Sequence, residues 1–258
     1  MSDALIFDRR SVRLHRDRAA RDVGQVHDIL SDVADRLLDR LLDTKHRFTQ
    51  ALDLGGRGVI APMLRARGIE VVSADLSPRM AALHGPSAVC ADEEWLPFAE
   101  HSFDLIIANL SLHTVNDLPG ALIQLRRALR SDGLFLASIP ILGTLAELRT
   151  ALATTETELR NGVAPRVSPF PDLRDCASLL QRAGFSLPVA DLEEITLLYA
   201  NPLALLYDLR HAGETNATLS RDRTTPPRAL FPLALASLPR ADERVPVTLK
   251  VGMLTGWK

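Results

Sequence analysis

Apolar positions along the chain follow two periods. From Val23 to Leu42, Val26, Leu30, Val33 and Leu37 recur at helical spacing with charges between them. This predicts an amphipathic helix whose apolar face needs a cover. Beyond it, short apolar runs alternate with helical segments. "ALDL" reads as a first strand carrying Asp53, and Val59 to Arg67 as a short helix. "EVVSADLS" gives a second strand ending at Asp75, and "AVCADEEWLPF" a third ending at Asp92. "FDLIIANLSLH" is apolar nearly throughout, as in a strand buried on both faces of a parallel sheet. "DLPGALIQLRRALRSDG" predicts a helix with Asp117 near its start and Gly133 just past its end, and "GLFLASIP" a fifth strand. Strand-then-helix alternation with short links predicts a doubly wound, Rossmann-like α/β fold.

After Gly143 the pattern changes. "TLAELRTALATTETELR" is one long helix, and the Pro-containing link "NGVAPRVSPFPD" leads to another helix ending near Gly184. "VADLEEITLLY" predicts a sixth strand, and a helical insertion runs from Pro202 to Leu238. In "VPVTLKVGMLTGWK", Val247, Leu249, Val251 and Met253 alternate with the intervening residues, predicting a final antiparallel strand at the sheet's end. The expected organisation is one domain: a helical cap over 1–47, a nucleotide-binding core over 48–200, the insertion over 201–240 and the last strand over 245–258.

Composition narrows the function classes. With 258 residues the chain can bury a full core, and 47% hydrophobic with 24% charged residues is ordinary for a globular protein. A formal charge of −2 supplies no basic field for nucleic acid or a membrane surface. Cys90 and Cys176 lack CxxC neighbours, so neither a disulfide framework nor a zinc site is expected. The start has no apolar h-region, its acids Asp3, Asp8, Asp17 and Asp22 oppose a transit peptide, and no apolar stretch suits a membrane span. A bacterial cytoplasm is the expected location.

The candidate chemistry centres on "DLGGRGVIA". Glycines after a first strand allow a tight turn and close backbone approach to a ligand, and the following helix start offers free amide donors. Gly55, Gly56 and Gly58 form GGxG, one residue short of GxGxG. Alone, this fits a ligand-free turn equally well. Asp75, roughly 20 residues on, stands where a carboxylate accepts both ribose hydroxyls. Asp92, with Glu93 beside it, ends the third strand where it can meet an adenine amine. The ordered set Asp53, Asp75 and Asp92 favours cofactor contact. His113, just beyond the fourth strand, is a candidate base or a core histidine. Where enzymes that methylate planar amino nitrogens carry an Asn/Asp-Pro-Pro-aromatic motif, "ANLS" stands instead.

The pieces "IFDRR", "RDRAA", "ALDLG", "ADEEWLPF", "FDLIIANLSLHTVNDLPGAL", "GTLAELR", "SPFPD", "RAGF" and "GWK" resemble, in order and over nearly the whole chain, the complex I assembly factor 5 family. "SLHTVNDLP" and the terminal "GWK" are its most specific parts. The resemblance implies a class I methyltransferase fold binding S-adenosylmethionine or S-adenosylhomocysteine. It also implies hydroxylation of an arginine on an iron–sulfur subunit of respiratory complex I (NADH dehydrogenase), the activity of the mitochondrial member. By this resemblance Asp53, Gly55 and Gly58 match the glycine loop, Asp75 the ribose acid and Asp92 the adenine-edge acid. Asn109, Ser111, His113, Asn116 and Asp117 match the segment after the fourth strand, and Thr144, Glu147 and Arg149 the one after the fifth.

Asn109 is thus expected at the cofactor, and Asn116, Asp117, Thr144 and Arg149 at the substrate. His113 and Glu147 are the expected catalytic residues, with Glu147 holding a guanidinium. Thr114 and Gly143 depart from the mitochondrial protein, which has tryptophan and aspartate there. Hydroxylation needs an oxidant, commonly iron held by two histidines and a carboxylate. Only "HRD" at His15 to Asp17 offers a partial spacing, so no metal ligands and no oxidant are assigned. Three readings stand: a protein-arginine hydroxylase, a methyltransferase acting on a small molecule or carrier-bound acid, and an assembly chaperone with a vestigial pocket.

Overall fold

The buried runs of the sequence lie side by side in one sheet. In the computed structural model, which describes residues 5–85 and 87–258, the strands are β1 (Gln50–Leu54), β2 (Glu70–Asp75), β3 (Ala88–Cys90), β4 (Phe103–Asn109), β5 (Leu129–Pro140), β6 (Ser186–Tyr199) and β7 (Val245–Trp257). Residues 1–4 of the expected cap, Asp3 among them, lie outside the described residues. The strand order is β3-β2-β1-β4-β5-β7-β6, with β1 to β5 parallel and β7 antiparallel to both neighbours. Every residue of β4 is buried, as its continuous apolar run requires.

Helices α1 (Arg9–Ala19) and α2 (His27–Leu38) precede β1. The crossovers carry α3 (Ile60–Arg65), α4 (Pro78–Ala82) and α5 (Leu118–Ala128). After β5 come α6 (Ala146–Arg160) and α7 (Leu173–Arg182), while α8 (Pro202–His211) and α9 (Leu230–Ala236) stand between β6 and β7. The amphipathic segment from Val23 folds as a 3-10 turn, α2 and a second 3-10 turn. Its Leu30, Val33 and Leu37 cover one sheet face with Ile60, Leu64 and Leu105. Each such leucine stabilises by about 1.5–3 kcal/mol when fully buried. On the other face, Leu122, Leu125 and Leu180 of α5 and α7 meet Leu52, Ile106 and Phe135. A third cluster joins α6, α8 and α9 to the far ends of β6 and β7.

Two expectations need correction. Helix α5 stops at Ala128 rather than near Gly133, because Leu129 already pairs with Phe103 and starts β5. The final strand is antiparallel but does not lie at the sheet's end: β7 inserts between β5 and β6, which takes the edge. Among the described residues no helix is long and apolar enough to cross a membrane.

Candidate functional site

The glycine turn is tight and its faces are occupied. Gly55 has φ +68°, its amide donates to the Ala74 carbonyl at 2.7 Å, and an added Cβ would lie 2.5 Å from the Ser111 Cβ. At Gly56 a Cβ would lie 2.1 Å from Asp53 Oδ1, so a side chain at either position displaces its neighbours. The short turn forces Arg57, a non-glycine, to φ +49° and turns its side chain inward, where it is only 1% exposed. Arg57 Nη1 donates to the Leu110 carbonyl at 3.1 Å, and its Nη2 pairs with Glu214. A Cβ added at Gly58 would lie 3.7 Å from the His27 ring.

Asp53 is fully buried behind this turn, with the Ser73 hydroxyl donating to it at 3.5 Å and His84 Nδ1 lying 3.7 Å away, beyond hydrogen-bond distance. Burial, and then the charge of Asp75, push its carboxyl up to about 7. Asp53 therefore supports the turn from beneath.

At the carboxyl ends of β2 and β3, acids and arginines interlock. Asp75 Oδ1 accepts the Ser77 amide at 2.8 Å and lies 3.7 Å from Arg16 Nη1. Glu93, fully buried, accepts from Arg16 at 2.7 Å and pairs with Arg9, which also reaches Asp92 at 2.6 Å. Burial alone would raise the Glu93 carboxyl, but Arg16 and Arg9 hold it down to about 2. Arg16 also donates to the Ser111 carbonyl at 3.3 Å and is 1% exposed.

These residues fit S-adenosylmethionine in chemistry. Asp75 Oδ2 is buried without a hydrogen-bond partner among the described residues, which suits a ribose hydroxyl. Asp75 and Glu93 have no exposure, so a cofactor reaching them has to move the Arg16 side chain.

Next to this edge lies a cavity of about 470 Å³, walled mostly by apolar side chains of α2, α6, β6 and α8. Arg57, His113 and Glu214 form its polar end. His113 Nε2 and Glu214 Oε2 are 2.6 Å apart, and His113 Nδ1 is buried without a partner among the described residues. Burial would raise Glu214, but His113 and Arg57 bring it down to about 2. With Nε2–H donated to Glu214, His113 keeps a lone pair on Nδ1, as a base requires.

The remaining expected residues divide. Thr144 lines the cavity and donates its hydroxyl to the Lys250 carbonyl at 2.7 Å. Asn109 is buried beside the cavity, donating to the Leu30 carbonyl at 3.1 Å and accepting from the Ser138 hydroxyl at 2.7 Å. Asn116 ties down the chain start, accepting from the Ile6 and Phe7 amides at 2.9 and 2.8 Å. Asp117 caps α5 through the Gly120 amide. Arg149 donates to the Val167 and Ser168 carbonyls. Glu147 corrects the expectation most clearly: it accepts the Thr248 hydroxyl at 2.5 Å and the Thr248 amide at 3.2 Å, and it faces a separate surface groove with Ser237 and Pro239. The first turn of α6 aims Glu147 at β7, so it does not meet a guanidinium in the cavity. At Gly143, φ +98° and Lys250 Cδ, 3.0 Å from an added Cβ, account for glycine there.

Arg9, Arg16, Arg57 and Glu214 escaped the sequence reading. The readable signal was on α1, where Arg9, Val12, Arg16 and Ala19 fall on one helical stripe, so two arginines share the face of two buried apolar residues.

Residues 52–137 match the family model described as a methyltransferase domain. The human protein named arginine-hydroxylase NDUFAF5, mitochondrial, is 38% identical over 98% of this chain and 77% of its own length. A malonyl-[acyl-carrier protein] O-methyltransferase from Halorhodospira halophila is 35% identical over 99% of this chain and 90% of its own. Among solved structures, the YcgJ protein of Bacillus subtilis superimposes with a TM-score of 0.57 at 14% identity, covering 86% of this chain and 97% of that one. The methyltransferase-domain match together with the likeness to such solved structures, one from Bacillus halodurans among them at a TM-score of 0.56 and 16% identity, establishes the class I methyltransferase fold, and the sequence relatives establish an enzyme lineage. This chain belongs to the arginine-hydroxylase NDUFAF5 family of methyltransferase-fold enzymes.

Proposed function

We propose that this enzyme binds S-adenosylmethionine along the Gly55–Gly56 turn, Asp75 and Glu93. It modifies an arginine on the iron–sulfur subunit of respiratory NADH dehydrogenase by hydroxylation, in which a C–H bond becomes C–OH and the oxygen atom and the two-electron oxidation come from an external oxidant such as dioxygen. The observation that carries the reading is the continuity of cofactor edge and cavity through the buried chain Arg57–Glu214–His113, in a relative of arginine hydroxylases. Asp75 would hold the ribose diol once Arg16 has moved aside, and Glu93 would keep Arg9 against the adenosine edge. When bound, the cofactor supplies a sulfonium centre. His113, oriented by Glu214, takes a proton at Nδ1 from a group entering the cavity. The apolar wall excludes water from that proton transfer.

A second reading, methyl transfer to a carrier-bound acid, is favoured by the mostly apolar cavity and by the malonyl-[acyl-carrier protein] O-methyltransferase relatives. Peptide mass spectrometry on the iron–sulfur subunit, from cells with and without the gene, separates the two. Loss of one oxygen from an arginine in the deletion supports hydroxylation. Loss of a methyl group supports methyl transfer, and an unchanged subunit overturns the partner assignment.

A further inference from the structure

The cavity carries several charged side chains, and most are already paired. Arg57 pairs with Glu214, Arg221 with Asp8, and Arg166 with Glu156 and Asp222. Arg210 is exposed. Asp208 differs. It stands on the cavity-lining stripe of α8 with Leu205 and Leu209, and its carboxylate has no ion-pair or hydrogen-bond partner among the described residues. Beside it the Tyr199 hydroxyl, on a residue 8% exposed, is buried with no hydrogen-bond partner among the described residues. Burial, then the charge of Asp208 and the approach of its carboxylate towards hydrogen-bonding range, push the Tyr199 hydroxyl well above its ordinary value, so the two groups are close neighbours. A half-buried, unpaired carboxylate beside a buried, orphaned hydroxyl leaves acceptor capacity on an apolar wall, and a ligand rich in donors fills it.

We infer that Asp208 and Tyr199 form an acceptor subsite for a guanidinium at the end of an apolar stem, that is, an arginine side chain. A guanidinium gives a carboxylate two parallel hydrogen bonds and keeps further N–H donors for the tyrosine oxygen. The methylene stem of arginine covers apolar surface such as Leu145, Leu148 and Leu205 while the charged head reaches its partners. A compact ammonium lacks the planar fork that matches the carboxylate. This assignment rests on the proposed arginine-directed activity, names the residues that select its substrate, and replaces Glu147, which faces β7.

Calorimetry on the full chain tests it, with a short arginine-containing peptide and the same peptide carrying neutral citrulline. The arginine peptide is expected to bind wild type at least tenfold more tightly than the citrulline peptide, and Asp208→Asn to erase that preference. Tyr199→Phe lowers affinity less, and Asp208→Glu restores part of it. Equal affinity for the two peptides in wild type overturns the subsite even if a variant fails to fold. So does an Asp208→Asn protein that keeps the preference, or no arginine binding up to millimolar peptide. Asp208-dependent arginine binding together with an unmodified subunit in cells would leave the subsite standing and remove the hydroxylase reading, so the two failures are distinguishable.

Discussion

His113 Nε2 lies 2.6 Å from Glu214 Oε2, and the other oxygen of Glu214 holds the buried guanidinium of Arg57. One carboxylate thus joins the glycine turn, the segment after β4 and the insertion after α8. Glu214→Ala leaves Arg57 buried with only the Leu110 carbonyl as partner. Removing one member of a buried pair costs about 3–5 kcal/mol, reduced here because Glu214 itself is partly exposed. The midpoint of urea unfolding should fall accordingly, with a smaller fall for Glu214→Gln. An unchanged midpoint in Glu214→Ala would show that the pairing contributes nothing to the fold.

Glu93 and Glu214 both titrate near 2 in the folded protein, against an ordinary value of 4.5. A carboxyl depressed by folding contributes stability that is full above about 4.5 and is lost as pH falls towards 2. Unfolding midpoints measured at pH 7, 5 and 3 should drop steeply over the last interval. Glu93→Gln should flatten part of that drop at the expense of lower stability at pH 7.

Asp53 acts in the opposite sense. Its folded carboxyl is raised to about 7 from an ordinary 3.8, so its contribution is full below 3.8 and is lost as pH rises through 7. Asp53→Asn removes this loss. Relative to wild type, the variant should gain stability between pH 4 and pH 8, and a parallel pair of pH profiles would contradict the assignment.

Cofactor affinity provides a separate check on the acidic edge. Losing the diol contact in Asp75→Ala should weaken S-adenosylhomocysteine binding by about 1–3 kcal/mol in calorimetry. Because the ligand has to move Arg16, backbone amides of α1 should exchange faster with ligand bound. Equal affinity of the variant and wild type removes Asp75 from the site.

The sheet was readable because its signals are local. Continuous burial of β4, the apolar stripe of α2 and the cap Asp117 each sit within a few residues of what they specify. Asp75 was legible for the same reason, since a strand end fixes its position. What escaped was long-range pairing. Arg16 meets Glu93 across 77 positions and His113 meets Glu214 across 101, and no periodicity encodes such partners. Glu147 misled because helical position alone does not tell which neighbour the first turn of α6 faces, and β7, its partner through Thr248, arrives 101 residues later.

In the proposed function the cofactor edge and the cavity act together on one arginine. The most direct test is the mass of the arginine-bearing peptides of the iron–sulfur subunit in deletion cells supplied with wild type, Asp75→Ala or Asp208→Asn at matched protein levels. The account predicts one added oxygen with wild type and none with either variant. Full restoration of that oxygen by either variant would contradict it.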